Sequence, residues 1–141
     1  MSEALKLENQ LCFPLYACSH EITKRYKPFL DAIDLTYTQY IAMMVMWEKE
    51  NISVKVLGEY LHLDSGTLTP LLKRLESKGF VKRERSSQDE RSVNVLLTKE
   101  GRALEKKAEC IPGQIGECVS LSPQDGEQLY DLLYKLLENL K

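Results

Sequence analysis

Residues 53–98 contain two short helical patterns followed by two strand patterns, and this order restricts the fold more than any other feature of the chain. Ser53 and Asp64 are residue types that cap helix N-termini, and each precedes apolar residues at helical spacing. The two stretches that follow the helices alternate between apolar and polar side chains, as hairpin strands do. The expected elements are helices over 54–61 and 65–78 and strands over 81–85 and 93–97. This order predicts a winged helix-turn-helix.

The second of these helices and the hairpin carry the side chains with which a winged helix binds DNA. Short polar side chains at the start of a helix can reach base edges in the major groove, and basic side chains further along contact phosphates. At the hairpin tip, Arg91 suits a minor groove, and Asp89 is expected to hold it through an ion pair. The candidate DNA-binding residues are Ser65, Thr67, Thr69, Lys73, Arg74, Arg83, Arg85, Asp89 and Arg91. The alternative is a capped surface helix and a solvated wing with ordinary charges.

The distribution of charge agrees with double-stranded DNA as a partner, although the formal net charge of the chain is −2. Residues 73–102 hold nine Lys or Arg and five Asp or Glu, a net of +4, and the remainder holds ten and sixteen, a net of −6. Because the local field acts on phosphates, the acidic total does not exclude a nucleic acid.

The rest of the chain is predicted to be helical and to join two copies. The leucine-rich amphipathic helices at both ends provide more apolar surface than one small winged helix needs to bury. Alternatively, these helices complete a monomeric core. Further elements are expected as follows: a first helix over 5–30, a buried helix after Thr36 with a Gln39 capping box, a helix from Thr98 to about Cys110, a break at Pro112, Gly113 and Gly116, and a last helix after Ser122-Pro123. The fold class is mainly α with a small β-hairpin wing. A single domain over 1–141 is expected, with the winged helix over about 36–98 and dimerisation helices over about 5–30 and 99–141.

Composition favours a cytoplasmic location. No apolar run reaches the roughly 18 residues of a membrane span, and the first ten residues do not form a signal peptide. In the cytosol the four cysteines are free thiols by default. No C-x-x-C pair is present and only two histidines are available, so neither a metal site nor a cofactor is expected.

Three segments resemble MarR-family regulators and, within that family, the organic-hydroperoxide-sensing OhrR-like proteins. These segments are ENQLCF with tyrosines downstream, DSGTLTPLLKR in the second helix, and DERSV at the wing. The resemblance covers nearly the whole chain. It implies a homodimeric repressor that leaves DNA when a thiol is oxidised, and not an enzyme.

The resemblance also implies which residues sense the oxidant. The reactive cysteine is implied to be Cys12, and Tyr26 and Tyr37 are implied to reach it across the dimer. A thiolate is the nucleophile toward an organic hydroperoxide, and phenols that donate hydrogen bonds to sulfur favour the charged form. In two-cysteine members a resolving thiol then forms an intersubunit disulfide, a role that Cys118 is implied to fill, with Cys110 as the alternative. A mixed disulfide with a small thiol is the less expected outcome.

Other functions fit parts of the pattern. A regulator released by a small aromatic ligand would leave the cysteines incidental. A thiol peroxidase would leave the basic wing unexplained, and no Arg-and-Thr group accompanies Cys12. A winged helix that binds a protein is the remaining alternative, and a cysteine on an apolar helix is by itself more often an inert core residue.

Overall fold

The computed structural model describes residues 1–89 and 91–141. In it, side-chain caps define the starts of most long helices. Thr36 and Gln39 form the predicted capping box, in which the Thr36 N–H donates to Gln39 Oε1 at 3.1 Å. The elements are α1 Cys12–Asp31, α2 Tyr37–Lys49, β1 Asn51–Ser53, α3 Val54–Leu61, α4 Ser65–Ser77, β2 Val81–Arg85, β3 Val93–Leu97, α5 Lys99–Ala108, α6 Ile111–Cys118 and α7 Pro123–Asn139. The chain forms two compact units, residues 1–111 and 112–141.

The predicted helix-turn-helix is confirmed as α3 and α4. His62 has φ 55° and ψ 40°, the left-handed conformation with which many helices end, and it turns the chain out of α3. Asp64 caps α4 by accepting the Thr67 N–H at 2.8 Å. Gly58 permits the tight turn, because a Cβ there would lie 2.9 Å from the Leu63 carbonyl oxygen.

The wing is an antiparallel sheet of three strands in the order β1-β3-β2. Strands β2 and β3 have the predicted bounds. The strand β1 was not predicted; it comes before the helix-turn-helix and pairs Ile52 with Val95. This pairing fastens the wing to the chain that enters α3.

The core of unit 1–111 lies where α2 and α4 meet the sheet. The apolar residues at helical spacing after Asp64 face inward, because the four leucines of α4 are at most 5% exposed: Leu68, Leu71, Leu72 and Leu75. Met43 and Met46 of α2 are fully buried. The prediction that the apolar centre of α2 is buried on nearly every side is wrong at Met44, which is 45% exposed.

The first long helix begins later than predicted. Before Cys12 the chain forms two 3₁₀ turns, Glu3–Leu5 and Leu7–Asn9. The Gln10 amide donates to the carbonyl oxygens of Ala4 and Lys6, both at 2.8 Å. A side chain that takes backbone acceptors in this way competes with helical hydrogen bonds, which explains the error.

The predicted break near residue 112 is also wrong, since α6 runs through it. Pro112 is the second residue of α6, where a backbone N–H would have no partner within the helix in any case. In unit 112–141 the last helix begins as predicted, with Ser122 accepting the Asp125 N–H at 3.1 Å. No residue of α7 is buried. Among the described residues, no helix is both long and apolar enough to cross a membrane.

Candidate functional site

Cys12 is the first residue of α1, and its side chain is exposed. The preceding residue, Leu11, offers no side-chain cap to the helix and is itself 79% exposed. The thiol therefore lies at an uncapped helix N-terminus beside an uncovered apolar side chain. The alternative that Cys12 is an inert core residue does not fit this exposed position.

The predicted sensing tyrosines lie together. The rings of Tyr26 in α1 and Tyr37 at the start of α2 have centroids 5.0 Å apart, at an interplanar angle of 56°. Tyr40, one turn further along α2, completes the cluster at 5.8 Å from Tyr26 and 6.4 Å from Tyr37. We refer to these three residues as the tyrosine cluster. Tyr40 was not predicted as part of it, although its i+3 spacing from Tyr37 is the signal that places both rings on one helix face.

Burial disfavours the charged form of these phenols. It is the main cause that raises the pKa of Tyr26, Tyr37 and Tyr40 above the ordinary value of 10.0. A negative charge on a neighbouring ring adds to the effect at Tyr26 and Tyr40. At neutral pH each hydroxyl group can therefore donate a hydrogen bond to an anion.

Cys12 and the tyrosine cluster of the same chain lie at opposite ends of α1. Cys12 and Tyr26 are fourteen residues apart, which corresponds to about 21 Å along the axis at 1.5 Å per residue. Tyr37 packs on Tyr26, near the end of α1 that is distant from Cys12. One chain therefore holds the thiol and the phenols but does not bring them together.

A further aromatic pair follows Cys12 on the same side of α1. Tyr16 and His20, at i+4 and i+8 from Cys12, stack with ring centroids 6.3 Å apart. Both line a cavity of about 490 Å³ between α1 and the start of α2, together with Lys27 and Tyr37. The sequence reasoning missed Tyr16, although its spacing from Cys12 was a usable signal.

The other three cysteines are also free and exposed. Cys110 follows α5, donates to the Lys107 carbonyl oxygen at 3.8 Å, and lies close enough to Tyr40 to add to the raised pKa of that phenol. Cys118 is the last residue of α6 in the other unit. Cys18, within α1, is exposed as well. No cluster of three or more His, Cys, Asp or Glu side chains within 1–89 and 91–141 could hold a metal ion.

The predicted DNA-reading residues of α4 form one outward surface. Ser65, Gly66 and Thr67 are exposed in its first turn, and Thr69 is half-buried. Lys73 and Arg74 are exposed on the following turns. Hydrogen bonds from the Thr67 backbone lower the pKa of Asp64, so this cap remains ionised next to the polar end.

Arg83 is tied to α4 rather than extended away from the wing. Its backbone N–H donates to Glu76 Oε2 at 2.9 Å, and its Nε and Nη2 donate to Oε1 at 3.2 and 3.0 Å. These hydrogen bonds lower the pKa of Glu76, and the bond from the Arg83 backbone N–H has the largest effect. The pair fixes β2 against the helix that carries Lys73 and Arg74. Arg85 lies at the end of β2, opposite Val93.

The wing tip is held by Asp89, but not in the predicted way. Asp89 Oδ1 accepts the backbone N–H of Arg91 at 3.0 Å, and Oδ2 accepts the Ser92 hydroxyl at 3.3 Å. Among the described residues no ion pair joins the Asp89 and Arg91 side chains, so the carboxylate shapes the turn instead. Arg91 is exposed at the tip. Glu90, within the DERSV motif, lies outside the described residues.

Comparison with known proteins agrees with this arrangement. The family described as transcriptional regulator SarA/Rot matches residues 24–108. The organic hydroperoxide resistance transcriptional regulator of Bacillus subtilis strain 168 is 55% identical over 139 residues, which span 96% of this chain and 92% of that protein. The predicted class of function, a hydroperoxide-responsive transcriptional regulator, is confirmed by this relative.

Solved structures show the same fold. Overoxidised AbfR bound to DNA, a Staphylococcus epidermidis protein, is 34% identical with a TM-score of 0.79 and covers 99% of this chain and 98% of its own. The disulfide form of AbfR has a TM-score of 0.64 at the same identity, with 98% and 94% covered. A MarR variant from E. coli in complex with operator DNA is 27% identical with a TM-score of 0.83, with 90% and 93% covered. The chain belongs to the SarA/Rot family of transcriptional regulators, as an OhrR-like protein with the MarR winged-helix fold.

Proposed function

We propose that this chain is a homodimeric repressor that binds a pseudo-palindromic DNA operator and releases it when an organic hydroperoxide oxidises Cys12. The main support is that Cys12 and the tyrosine cluster lie at opposite ends of α1. The phenols of one copy can contact the thiol of another only if two copies associate with their α1 helices crossing. A second copy is therefore part of the sensor.

Uncovered apolar side chains support association of two copies. In the segment before α1, Leu7 is 61% exposed and Leu11 is 79% exposed. In α7, Leu132 is 64% exposed and Tyr134 is 54% exposed. Several exposed apolar side chains within one segment are typical of a protein interface, and a monomeric core would have buried them. The two segments are the ones for which the sequence predicted dimerisation.

In this proposal, α4 and the wing are the elements that contact DNA. The exposed start of α4 fits a major groove, Lys73 and Arg74 suit phosphates, and Arg91 at the tip suits the adjacent minor groove. Arg85 adds positive charge on β2. Arg83 has a second role, because its bonds to Glu76 hold the wing at a fixed angle to α4. Two copies present two such units, as a pseudo-palindromic operator requires.

The oxidation step is a two-electron transfer. The Cys12 thiolate attacks the terminal oxygen of the hydroperoxide, the O–O bond breaks, and the products are a sulfenic acid and an alkoxide that takes a proton from water to become an alcohol. Sulfur is oxidised and the peroxide is reduced. Neutral phenols of the tyrosine cluster stabilise the thiolate by donating hydrogen bonds.

Condensation with a second thiol completes the switch. The sulfenic acid and a thiol of the other subunit form a disulfide and release water. We assign this thiol to Cys118, with Cys110 as the alternative because it lies near Tyr40. A disulfide requires Cα atoms within about 7 Å, so its formation moves helices. Reduced AbfR bound to DNA, at 34% identity, has a TM-score of 0.77 with this chain, above the 0.64 of disulfide-bonded AbfR.

One observation favours a second candidate function. The cavity beside Tyr37 has the volume of a small-ligand site, and His20 and Lys27 give it a polar side. A regulator released by a small aromatic carboxylate would use this cavity without cysteine chemistry. Release of the Cys12→Ser variant from DNA by benzoate would support this candidate.

Titration of reduced and peroxide-treated protein against the same DNA tests the proposal. We expect the reduced protein to bind a duplex that it selects from a random-sequence library, and tert-butyl hydroperoxide to release it. Cys12→Ser should bind as the wild type does and stay bound after treatment. Cys18→Ser is the matched control and should still be released. If peroxide releases Cys12→Ser, another group is the sensor.

A further inference from the structure

Lys78 joins the far end of the recognition helix to the element that carries the sensing tyrosines. It is the C-cap residue of α4, and its backbone N–H donates to the Arg74 carbonyl oxygen at 3.0 Å. The next residue, Gly79, has φ 84° and turns the chain away toward β2. The Lys78 backbone therefore belongs to the end of α4.

The ammonium group is held by oxygens that belong to the start of α2 and the turn before it. Lys78 Nζ donates to the Asp34 carbonyl oxygen and, at 3.0 Å, to Gln39 Oε1. The Asp34 carboxylate lies 3.6 Å away. The Lys78 side chain is only 26% exposed. A lysine has three N–H donors, and here each has an oxygen within reach.

Gln39 connects this contact to the tyrosine cluster. It is 3% exposed, and its Oε1 accepts both Lys78 Nζ and the Thr36 N–H of the capping box. It lies between Tyr37 and Tyr40 in the first turns of α2. A shift of that turn moves Gln39 and the oxygens around Lys78 together. Because a buried amide oxygen is costly to leave without its partners, the displacement is passed on to α4.

We propose that Lys78 couples oxidation of Cys12, which the tyrosine cluster of the other copy contacts, to the orientation of α4 on DNA. It is a positioning residue, since it does not contact the reacting sulfur or the DNA-facing start of the helix. This inference rests on the proposed function. It adds that the signal reaches α4 through the Lys78–Gln39 contact in addition to any movement of the dimer interface.

The test compares DNA affinity before and after oxidation in Lys78→Met, with Lys106→Met as the control. Lys106 is an exposed lysine on α5, and its replacement removes the same charge. The measured quantity is the ratio of the Kd of the peroxide-treated protein to that of the reduced protein, on a duplex selected by the reduced wild type. Allosteric coupling typically spans 5–150-fold, so we expect Lys78→Met to lower the ratio about tenfold. Trapping of the Cys12 sulfenic acid by dimedone should proceed at the wild-type rate.

Gln39→Met removes the Lys78–Gln39 contact from the α2 side, together with the Thr36 capping bond, and replaces Lys78→Met in the test if that variant does not fold. When both variants fold, the effects of the two changes on the ratio should be less than additive in the double variant, because each change removes the Lys78–Gln39 contact. A Lys78→Met or Gln39→Met ratio equal to those of wild type and Lys106→Met would overturn the coupling role. Failure of peroxide to release the wild type would instead overturn the proposed function, and the inference with it.

Discussion

The rings of Tyr26 and Tyr37 pack with centroids 5.0 Å apart, although one residue is near the end of α1 and the other begins α2. This contact places two half-buried phenols at the junction of the two helices, far from the Cys12 of their own chain. In the proposed sensor, the thiol and the phenols can therefore combine only when two chains associate. The same junction is tied to the recognition helix through Lys78.

Removal of single phenol hydroxyls should slow oxidation of Cys12 without weakening DNA binding. A hydrogen bond to a charged group contributes about 1.5–3 kcal/mol, so loss of one from the thiolate should lower the oxidation rate about tenfold or more. We expect this for Tyr26→Phe and Tyr37→Phe, measured by stopped-flow consumption of tert-butyl hydroperoxide. Tyr60→Phe, a change at an exposed tyrosine on α3, should oxidise at the wild-type rate. Unchanged rates in both cluster variants would mean that the phenols do not donate to the sulfur.

Arg91→Ala should weaken DNA binding and make it less sensitive to salt. One phosphate-associated cation fewer reduces the slope of log K against log salt concentration by about one. Fluorescence anisotropy over a range of salt concentrations measures this slope. Asp89→Ala should weaken binding without the full change in slope, because it releases the turn at the tip but leaves the guanidinium. An Arg91→Ala protein with the wild-type affinity and slope would place the tip outside the DNA interface.

Peroxide treatment should give a covalent dimer that depends on Cys12 and on one further cysteine. We expect Cys118→Ser to remain monomeric on a non-reducing gel and Cys110→Ser to form the dimer. The reverse result would assign the resolving role to Cys110, which lies near Tyr40. Cys18→Ser is the control and should form the dimer as the wild type does. If the dimer band persists in each variant that lacks one cysteine, the covalent dimer does not depend on one unique disulfide.

Stability should fall at alkaline pH because of the tyrosine cluster. The pKa values of its phenols are raised above 10.0 in the folded chain, so above about pH 10 the unfolded chain holds fewer protons than the folded one. The free energy of unfolding is therefore unaffected below that pH and decreases as pH rises through the folded-state pKa values. Urea denaturation between pH 7 and 11 measures this. Tyr40→Phe should flatten the decrease, and Tyr60→Phe should not; equal slopes would show that the cluster does not cause it.

Local chemistry explains which elements could be predicted. A cap such as Ser53 or Asp64 acts within three or four residues, and the helices that these residues begin have the predicted starts. The alternation over 81–85 and 93–97 likewise gave the correct strand bounds. The errors have non-local or competing causes: β1 is three residues long and exists through pairing with β3, and the bonds of Gln10 to earlier carbonyl groups replace helix before Cys12.

The amino-acid sequence by itself determined the order of capped helices and strands, the leucine stripe of α4 and the basic character of the wing, because each depends on residues close together in the chain. Only the tertiary structure decided the packing of Tyr26 on Tyr37, the use of Arg83 to hold Glu76 and the burial of Gln39 beneath Lys78. These contacts join residues from different elements, and side-chain reach, burial and hydrogen-bond geometry select them once the helices have packed.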